Sequence, residues 1–155
     1  MKKLLILILC LCTLLPVTGC TSEPADTYGN EEITLSLPEG GRGRDNTLSD
    51  YSVAFDDFNV VCTKYTADML KGYGLSAGDA KGAAEFFAKA MGASDIKTKN
   101  DICYYDYELT NSYSVDACYG HGEDVWVITF VCPLSNKDTY ASRFLDYIQG
   151  VTFTY

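Results

Sequence analysis

Cys118 and His121 form the one arrangement in the sequence that could support nucleophilic catalysis. The histidine is the only one in the chain, and it lies in the glycine-rich segment CYGHGED. A thiol nucleophile needs an adjacent base and a group that orients the base, and Glu123 or Asp124 could orient the imidazole. Glycine and aspartate are also typical of tight turns for backbone reasons. The favoured interpretation is therefore a hairpin loop with a solvent-facing histidine, and a small Cys/His hydrolase or thiol enzyme is an alternative.

The cysteines outside the N-terminal segment are candidates for disulfide bonds if the protein is exported. These cysteines are Cys62, Cys103, Cys118 and Cys132. Four cysteines allow three pairings, and sequence alone cannot choose among them. A Cys103–Cys118 bridge would be short, but strand alternation places Cys103 on an apolar face. The same alternation places Cys118 with Ser114 and Asp116 on a more polar face. Directly paired residues share a face, so the pairing stays open, and buried free thiols are the alternative.

No metal or cofactor site is predicted. The sequence has no Cys-x-x-Cys and no His-x-x-x-His, and its single histidine leaves few ligands for zinc. Two pairs of acidic residues could act as a glycosidase pair, namely Asp56 with Asp57 and Asp106 with Glu108. With 21 acidic residues in the chain, such pairs arise by coincidence, and a solvated face is the favoured interpretation.

Tyrosine is the clearest compositional excess, with twelve in the chain. Five lie in one predicted hairpin and form a candidate binding face: Tyr104, Tyr105, Tyr107, Tyr113 and Tyr119. Alternation along the strand places Tyr104 opposite to Tyr105 and Tyr107, so one set is expected to pack under a helix and the other to be exposed. Exposed tyrosines suit protein partners or stacking on sugar rings. The alternative is that tyrosine serves only as a good strand former.

Residues 1–19 are predicted to be a lipoprotein signal peptide. Two lysines precede an apolar run over residues 4–15 that is short for a membrane span. The run leads into the sequence VTGC at residues 17–20, which looks like a bacterial lipobox. The thiolate sulfur of such a cysteine takes diacylglycerol, so Cys20 is the predicted lipidation site. A plain secretory signal or an uncleaved anchor is the alternative.

Residues 20–32 are predicted to be the lipidated Cys20 and a flexible acidic tether, because they carry no basic residue and little apolar surface. Residues 33–155 are then long enough for a single globular domain. The net charge of −9 argues against nucleic acid as a partner. It also argues against docking on an anionic bilayer through a basic face.

Hydrophobic periodicity predicts an α+β domain. Strands are predicted at residues 33–37, 58–65, 102–109, 113–119, 124–132 and 151–155. Helices are predicted at residues 66–71 and after the capping patterns at 76–79 and 135–138. Consecutive strands joined by short turns indicate a mainly antiparallel sheet, and the two longer helices are expected to pack on it.

Two segments of this domain resemble the PsbP-like family of small α/β/α sandwiches, which includes many bacterial lipoproteins. These segments are ITLSLPEG at the start and VWVITFVCPLSNKDTYASRFLDYIQGVTF at the end. The resemblance covers about residues 33–155 and implies a binding or assembly role without catalysis. The matching positions are core positions, so no functional residue can be carried over. A cystatin-like α+β sandwich is the alternative fold.

These observations predict a membrane-anchored extracytoplasmic lipoprotein with a non-catalytic binding or assembly role. Its partners would be the lipid bilayer, through diacylglycerol on Cys20, and another envelope protein. A glycan-binding module that uses the hairpin tyrosines is the alternative function.

Overall fold

The computed structural model of the protein describes residues 25–93 and 95–154. The predicted signal peptide, the lipobox and Cys20 lie outside the described residues. The strands of the described part are β1 (Ala25–Gly29), β2 (Ile33–Pro38), β3 (Arg42–Asp45), β4 (Tyr51–Ala54), β5 (Asn59–Tyr65), β6 (Lys97–Lys99), β7 (Ile102–Leu109), β8 (Ser112–His121), β9 (Asp124–Pro133) and β10 (Val151–Phe153). Its helices are α1 (Ala67–Gly72), α2 (Ala80–Met91) and α3 (Lys137–Tyr147).

Seven strands form a large antiparallel sheet in the order β3-β4-β5-β9-β8-β7-β6. The two ten-residue strands β8 and β9 pair along their full length near its centre. Strand β9 is apolar at consecutive positions because both of its faces are covered. Val125 and Val127 are buried on one face, while Ile128 and Phe130 are buried on the other.

A second sheet of three strands, in the order β1-β2-β10, covers one face of the large sheet. Its central strand β2 alternates in the manner expected for a half-buried strand. Ile33, Leu35 and Leu37 are buried against the large sheet, and the residues between them are more exposed. Helix α3 lies on the same face, where Tyr140 and Phe144 are buried.

Helices α1 and α2 cover the opposite face. Asp79 caps α2 by accepting a hydrogen bond from the Gly82 N–H at 2.9 Å, and the helix ends at Gly92 with a positive φ of 74°. The buried side of α2 consists of alanines at positions 83, 84 and 88. Such small side chains allow the helix to lie close to β7 and β8.

The large sheet therefore separates two cores. The aromatic core, between the large sheet, the small sheet and α3, is built on Trp126, Phe130 and Phe144. The α2 core, beneath α1 and α2, contains Tyr105 and Cys118 together with the helix alanines. This arrangement confirms the predicted α+β class and the mainly antiparallel sheet.

Two sequence expectations need correction. The predicted tether is in part a strand, because Ala25–Gly29 pairs with β2 and buries Tyr28. The segment Arg42–Asp45, which is not among the predicted strands, pairs with β4 as an edge strand. The three α-helices of the described residues lie close to the three positions where helices were predicted. Among the described helices, none is long and apolar enough to cross a membrane.

Candidate functional site

An aromatic groove of about 310 Å³ lies between the β4–β5 loop and helix α3. We define it by four rings that share this location: Phe55, Phe58, Tyr140 and Tyr147. Three charged residues, Glu39, Asp57 and Arg143, also line it. Its volume lies near the lower end of the range of small-ligand sites in proteins, roughly 300–1,000 Å³.

The rings of the groove hold one another in fixed positions. Phe55 and Phe58 stack with centroids 4.1 Å apart and planes 9° apart, and Phe58 lies 5.0 Å from Tyr140. Phe58 and Tyr140 are buried and form the floor. Phe55 and Tyr147 are half-buried, so each presents part of its ring to the groove.

The polar groups of the groove lie at its rim. The Tyr140 hydroxyl donates a hydrogen bond to the Asp57 carboxylate. Burial and this hydrogen bond raise the pKa of Tyr140, so its hydroxyl stays protonated at neutral pH. The Arg143 guanidinium lies 5.7 Å from the centre of the Tyr140 ring, within the range of a cation–π contact. An apolar floor with two carboxylate acceptors and one multiple donor at the rim suits non-covalent binding.

A second feature is an apolar stripe on the outer surface of the α1–α2 layer. We define it by four exposed large side chains: Leu48, Met69, Tyr73 and Phe86. Leu48 has 92% of its surface exposed, and the other three have between 37% and 49% exposed. The four are continuous. Leu48 and Met69 line one depression, Met69 and Tyr73 lie one helical turn apart, and the Tyr73 and Phe86 rings are 5.3 Å apart.

The five hairpin tyrosines do not form an exposed binding face. Tyr105 packs beneath α2 with Tyr107 beside it, as alternation predicted. The expectation of an exposed face on the other side is wrong, because the small sheet and α3 cover it. Tyr113 and Tyr119 are buried in the aromatic core, and Tyr104 is partly buried against it. The Tyr119 hydroxyl donates to the Ile148 carbonyl at 2.6 Å, which gives it a structural role.

The structure does not assemble the Cys118–His121 pair. Their separation of three along β8 places the two side chains on opposite faces of the sheet. Cys118 is buried in the α2 core, whereas His121 stacks on Phe153 with ring centroids 5.2 Å apart. Burial raises the pKa of the Cys118 thiol, which leaves it a poor nucleophile. Asp124 accepts a hydrogen bond from the Ala67 N–H at 3.1 Å, near the start of α1.

All four cysteines of the described domain are buried free thiols. Ser114 and Asp116, the residues that made the Cys118 face look polar, are themselves buried. That face is therefore a core face, and the sequence-based objection to a Cys103–Cys118 pair is wrong. Within the described residues, no group of three or more His, Cys, Asp or Glu side chains could hold a metal ion.

Asp116 is a buried carboxyl at the centre of the α2 core, with 5% of its surface exposed. The Tyr105 hydroxyl donates to its Oδ2 at 2.8 Å. Burial raises the pKa of Asp116, and the hydrogen bond from Tyr105 partly opposes this shift. The carboxylates of the candidate pair Asp106 and Glu108 are solvent-accessible and form ion pairs with lysines. Asp106 pairs with Lys97, and Glu108 lies 2.5 Å from the Lys137 Nζ.

Comparisons with known proteins identify the fold. No protein-family model matches the chain, and no curated protein matches its sequence. The solution structure of the cyanobacterial PsbP protein CyanoP from Synechocystis matches with a TM-score of 0.54, 12% identity, and coverage of 92% of this chain and 99% of that one. A crystal structure from Bacteroides thetaiotaomicron matches with a TM-score of 0.49, 11% identity, and coverage of 79% of this chain and 45% of that one. The first likeness shows a PsbP-like fold and, at this identity, the fold alone.

Proposed function

We propose that this protein is a membrane-anchored extracytoplasmic lipoprotein whose domain has a non-catalytic binding or assembly role toward another envelope protein. The observation that carries the proposal is the apolar stripe. It gathers four of the six large apolar side chains that are exposed in the described residues. Contiguous apolar surface of this kind marks protein interaction sites in soluble domains.

The composition of the stripe fits a protein contact. Tyrosine and methionine are enriched at the centres of protein interfaces, and tyrosine is frequent among the residues that dominate binding energy. Tyr73 is held by ring contacts with Tyr65 and Phe87, so its half-exposed ring is presented with little loss of freedom on binding. The net charge of −9 favours a partner that surrounds its apolar centre with neutral or basic residues.

Lipidation at Cys20 would keep the domain close to the bilayer. The first described strand begins at Ala25, five residues after Cys20. Five residues span at most about 18 Å. Membrane association is tested with Cys20→Ser: we expect the wild-type chain to sediment with membranes and the variant to remain in the soluble fraction. Equal sedimentation of both chains would contradict the predicted lipid anchor.

The partner is tested by crosslinking tagged full-length protein in cells and identifying what co-purifies. We expect one enriched envelope protein with the wild-type chain and at least a tenfold loss with Met69→Asp combined with Tyr73→Asp. Leu109→Asp is the matched control, because Leu109 is also apolar and 51% exposed but is the last residue of β7 and no part of the stripe. Loss of the partner in both variants, or in neither, would contradict the assignment of the stripe.

The aromatic groove favours a second candidate function, the binding of a glycan. Half-buried rings stack on the apolar faces of sugars, while Asp57 and Arg143 could hydrogen-bond hydroxyl groups at the rim. This site replaces the hairpin tyrosines as the location for the alternative. The test is retention on immobilised cell-wall polysaccharide, which we expect to fall for Phe55→Ala and Tyr147→Ala but not for Leu109→Ala. Equal retention of all four chains, wild type included, would exclude the groove.

A further inference from the structure

Two of the four buried cysteines face each other across neighbouring strands. Cys103 on β7 lies directly opposite Cys118 on β8 in the antiparallel register. Residues paired in this way have Cα atoms about 4.5 or 5.5 Å apart, and disulfides span Cα separations of about 4.4–6.8 Å. Both side chains lie in the α2 core, on the same face of the large sheet. Distance and direction are therefore suited to a covalent bond.

The remaining cysteines are excluded as partners. Cys62 and Cys132 lie in the aromatic core, so the large sheet separates them from Cys103 and Cys118. They are also remote from each other. Cys62 lies opposite Ile128, and Cys132 is four residues further along β9, which amounts to about 13 Å of strand. Four cysteines can form two disulfides in three ways, and each of these ways includes at least one bond that this fold does not allow.

We infer that Cys103 and Cys118 form a disulfide bond when the chain folds under oxidising conditions, and that Cys62 and Cys132 remain thiols. The chemistry is thiol–disulfide exchange. One thiolate attacks the disulfide of a small-molecule or protein oxidant, and the second thiolate attacks the mixed disulfide. The two cysteine sulfurs lose two protons and two electrons, and the oxidant leaves as two thiols.

The burial of the pair determines when the bond can form. Cys118 is 1% exposed and Cys103 is 9% exposed beneath α2. Burial also raises the pKa of the Cys118 thiol, so the folded, reduced protein offers little thiolate and little access to an oxidant. The exchange must therefore precede the packing of α2. Once formed, the bond is shielded from reductants by the same helix, which makes it structural and not a reversible switch.

That the protein resides in an oxidising compartment rests on the proposed function, whereas the pairing of Cys103 with Cys118 depends only on the fold. The test uses the full-length chain, purified in detergent, unfolded, reduced, and refolded with reduced and oxidised glutathione. Free thiols are alkylated after denaturation, and peptides are mapped without reduction. We expect a Cys103–Cys118 crosslinked peptide and alkylated Cys62 and Cys132. The disulfide should also raise the urea midpoint of unfolding. Dithiothreitol should reduce the disulfide at least tenfold more slowly in buffer than in urea.

Variants separate the pairing from a general effect on folding. Cys62→Ala combined with Cys132→Ala should keep the crosslinked peptide and the raised midpoint, whereas Cys103→Ala and Cys118→Ala should lose both while retaining the native circular dichroism spectrum. A bond to Cys62 or Cys132 in the refolded chain, or four thiols after refolding in excess oxidised glutathione, would overturn the inference. If the bond forms on refolding but acid-quenched cells contain only thiols, the pairing is supported and the proposed location is contradicted.

Discussion

The two cores on either side of the large sheet are built from different chemistry. In the aromatic core, Phe144 lies at the centre of a group of rings, 5.6 Å from Phe130 and 5.7 Å from Phe58. In the α2 core, a helix that is alanine-rich on its inner side covers a carboxyl, a tyrosine hydroxyl and two thiols. The first core excludes water by apolar area, and the second must also satisfy polar groups.

The difference explains where the candidate binding surfaces lie. Because alanines fill the inner side of α2, the large apolar residues of the α1–α2 layer, such as Tyr73 and Phe86, are left on its outer side. That outer side is the apolar stripe. On the opposite face of the large sheet, the large aromatic residues are buried in the core. Their cluster is accessible to solvent at its edge, where it forms the aromatic groove. The apolar stripe therefore consists of residues outside the α2 core, whereas the aromatic groove is a continuation of the aromatic core.

The largest effect is expected in the aromatic core. Phe144→Ala removes a fully buried ring and should lower the free energy of unfolding by about 3–5 kcal/mol, as large-to-small core changes do. On the opposite face, Ala88→Gly should cost only about 1 kcal/mol, mainly through helix propensity. Both values follow from urea denaturation. Equal losses in the free energy of unfolding would show that the two substitutions are equally costly, and would contradict the proposed difference between the two cores.

A medium effect is expected from the polar contact of the α2 core. Tyr105→Phe removes the hydroxyl that donates to Asp116 and should cost about 1–3 kcal/mol. The loss should be greater at high pH, where Asp116 is ionised and needs the donor more. Tyr119→Phe is the control, because that hydroxyl donates to a neutral backbone carbonyl on the other face. A pH-dependent loss in the control, or a pH-independent one in Tyr105→Phe, would contradict this account.

The raised pKa of Asp116 predicts how stability depends on pH. The folded state holds the proton of this carboxyl more tightly than the unfolded chain does, so protonation favours folding. Its contribution is fully present below the ordinary carboxyl pKa of about 4 and is lost as pH rises through the raised folded value. Urea denaturation across this range should show a steeper decline for the wild-type protein than for Asp116→Asn. Parallel dependences of stability on pH in the two proteins would mean that burial does not raise the pKa of Asp116.

Much of the fold follows from the sequence, and its limits have physical reasons. The meander β7-β8-β9 was predictable because long strands with alternating or continuous apolar residues carry a strong signal. Strand β3 was missed because all four of its residues are exposed, so no burial pattern marks it. The cover over Tyr119 was missed because Phe153 lies on β10, which pairs with β2 from the opposite end of the domain. The same holds for the aromatic groove, which joins Phe55 to the distant Tyr140.

The smallest effect is expected at the start of α2, where the N-cap is Asp79 and not Ser76, the first residue of the predicted capping pattern. Asp79→Ala removes the acceptor for the Gly82 N–H and should cost about 1 kcal/mol, the usual value for an N-cap. Asp79→Ser keeps an acceptor and should restore most of the loss in urea denaturation. Because α2 covers the α2 core alone, Asp79→Ala should speed hydrogen exchange of the amides in β7 more than in β10. Equal acceleration in both strands would mean that the two cores open together, and that the large sheet does not separate them energetically.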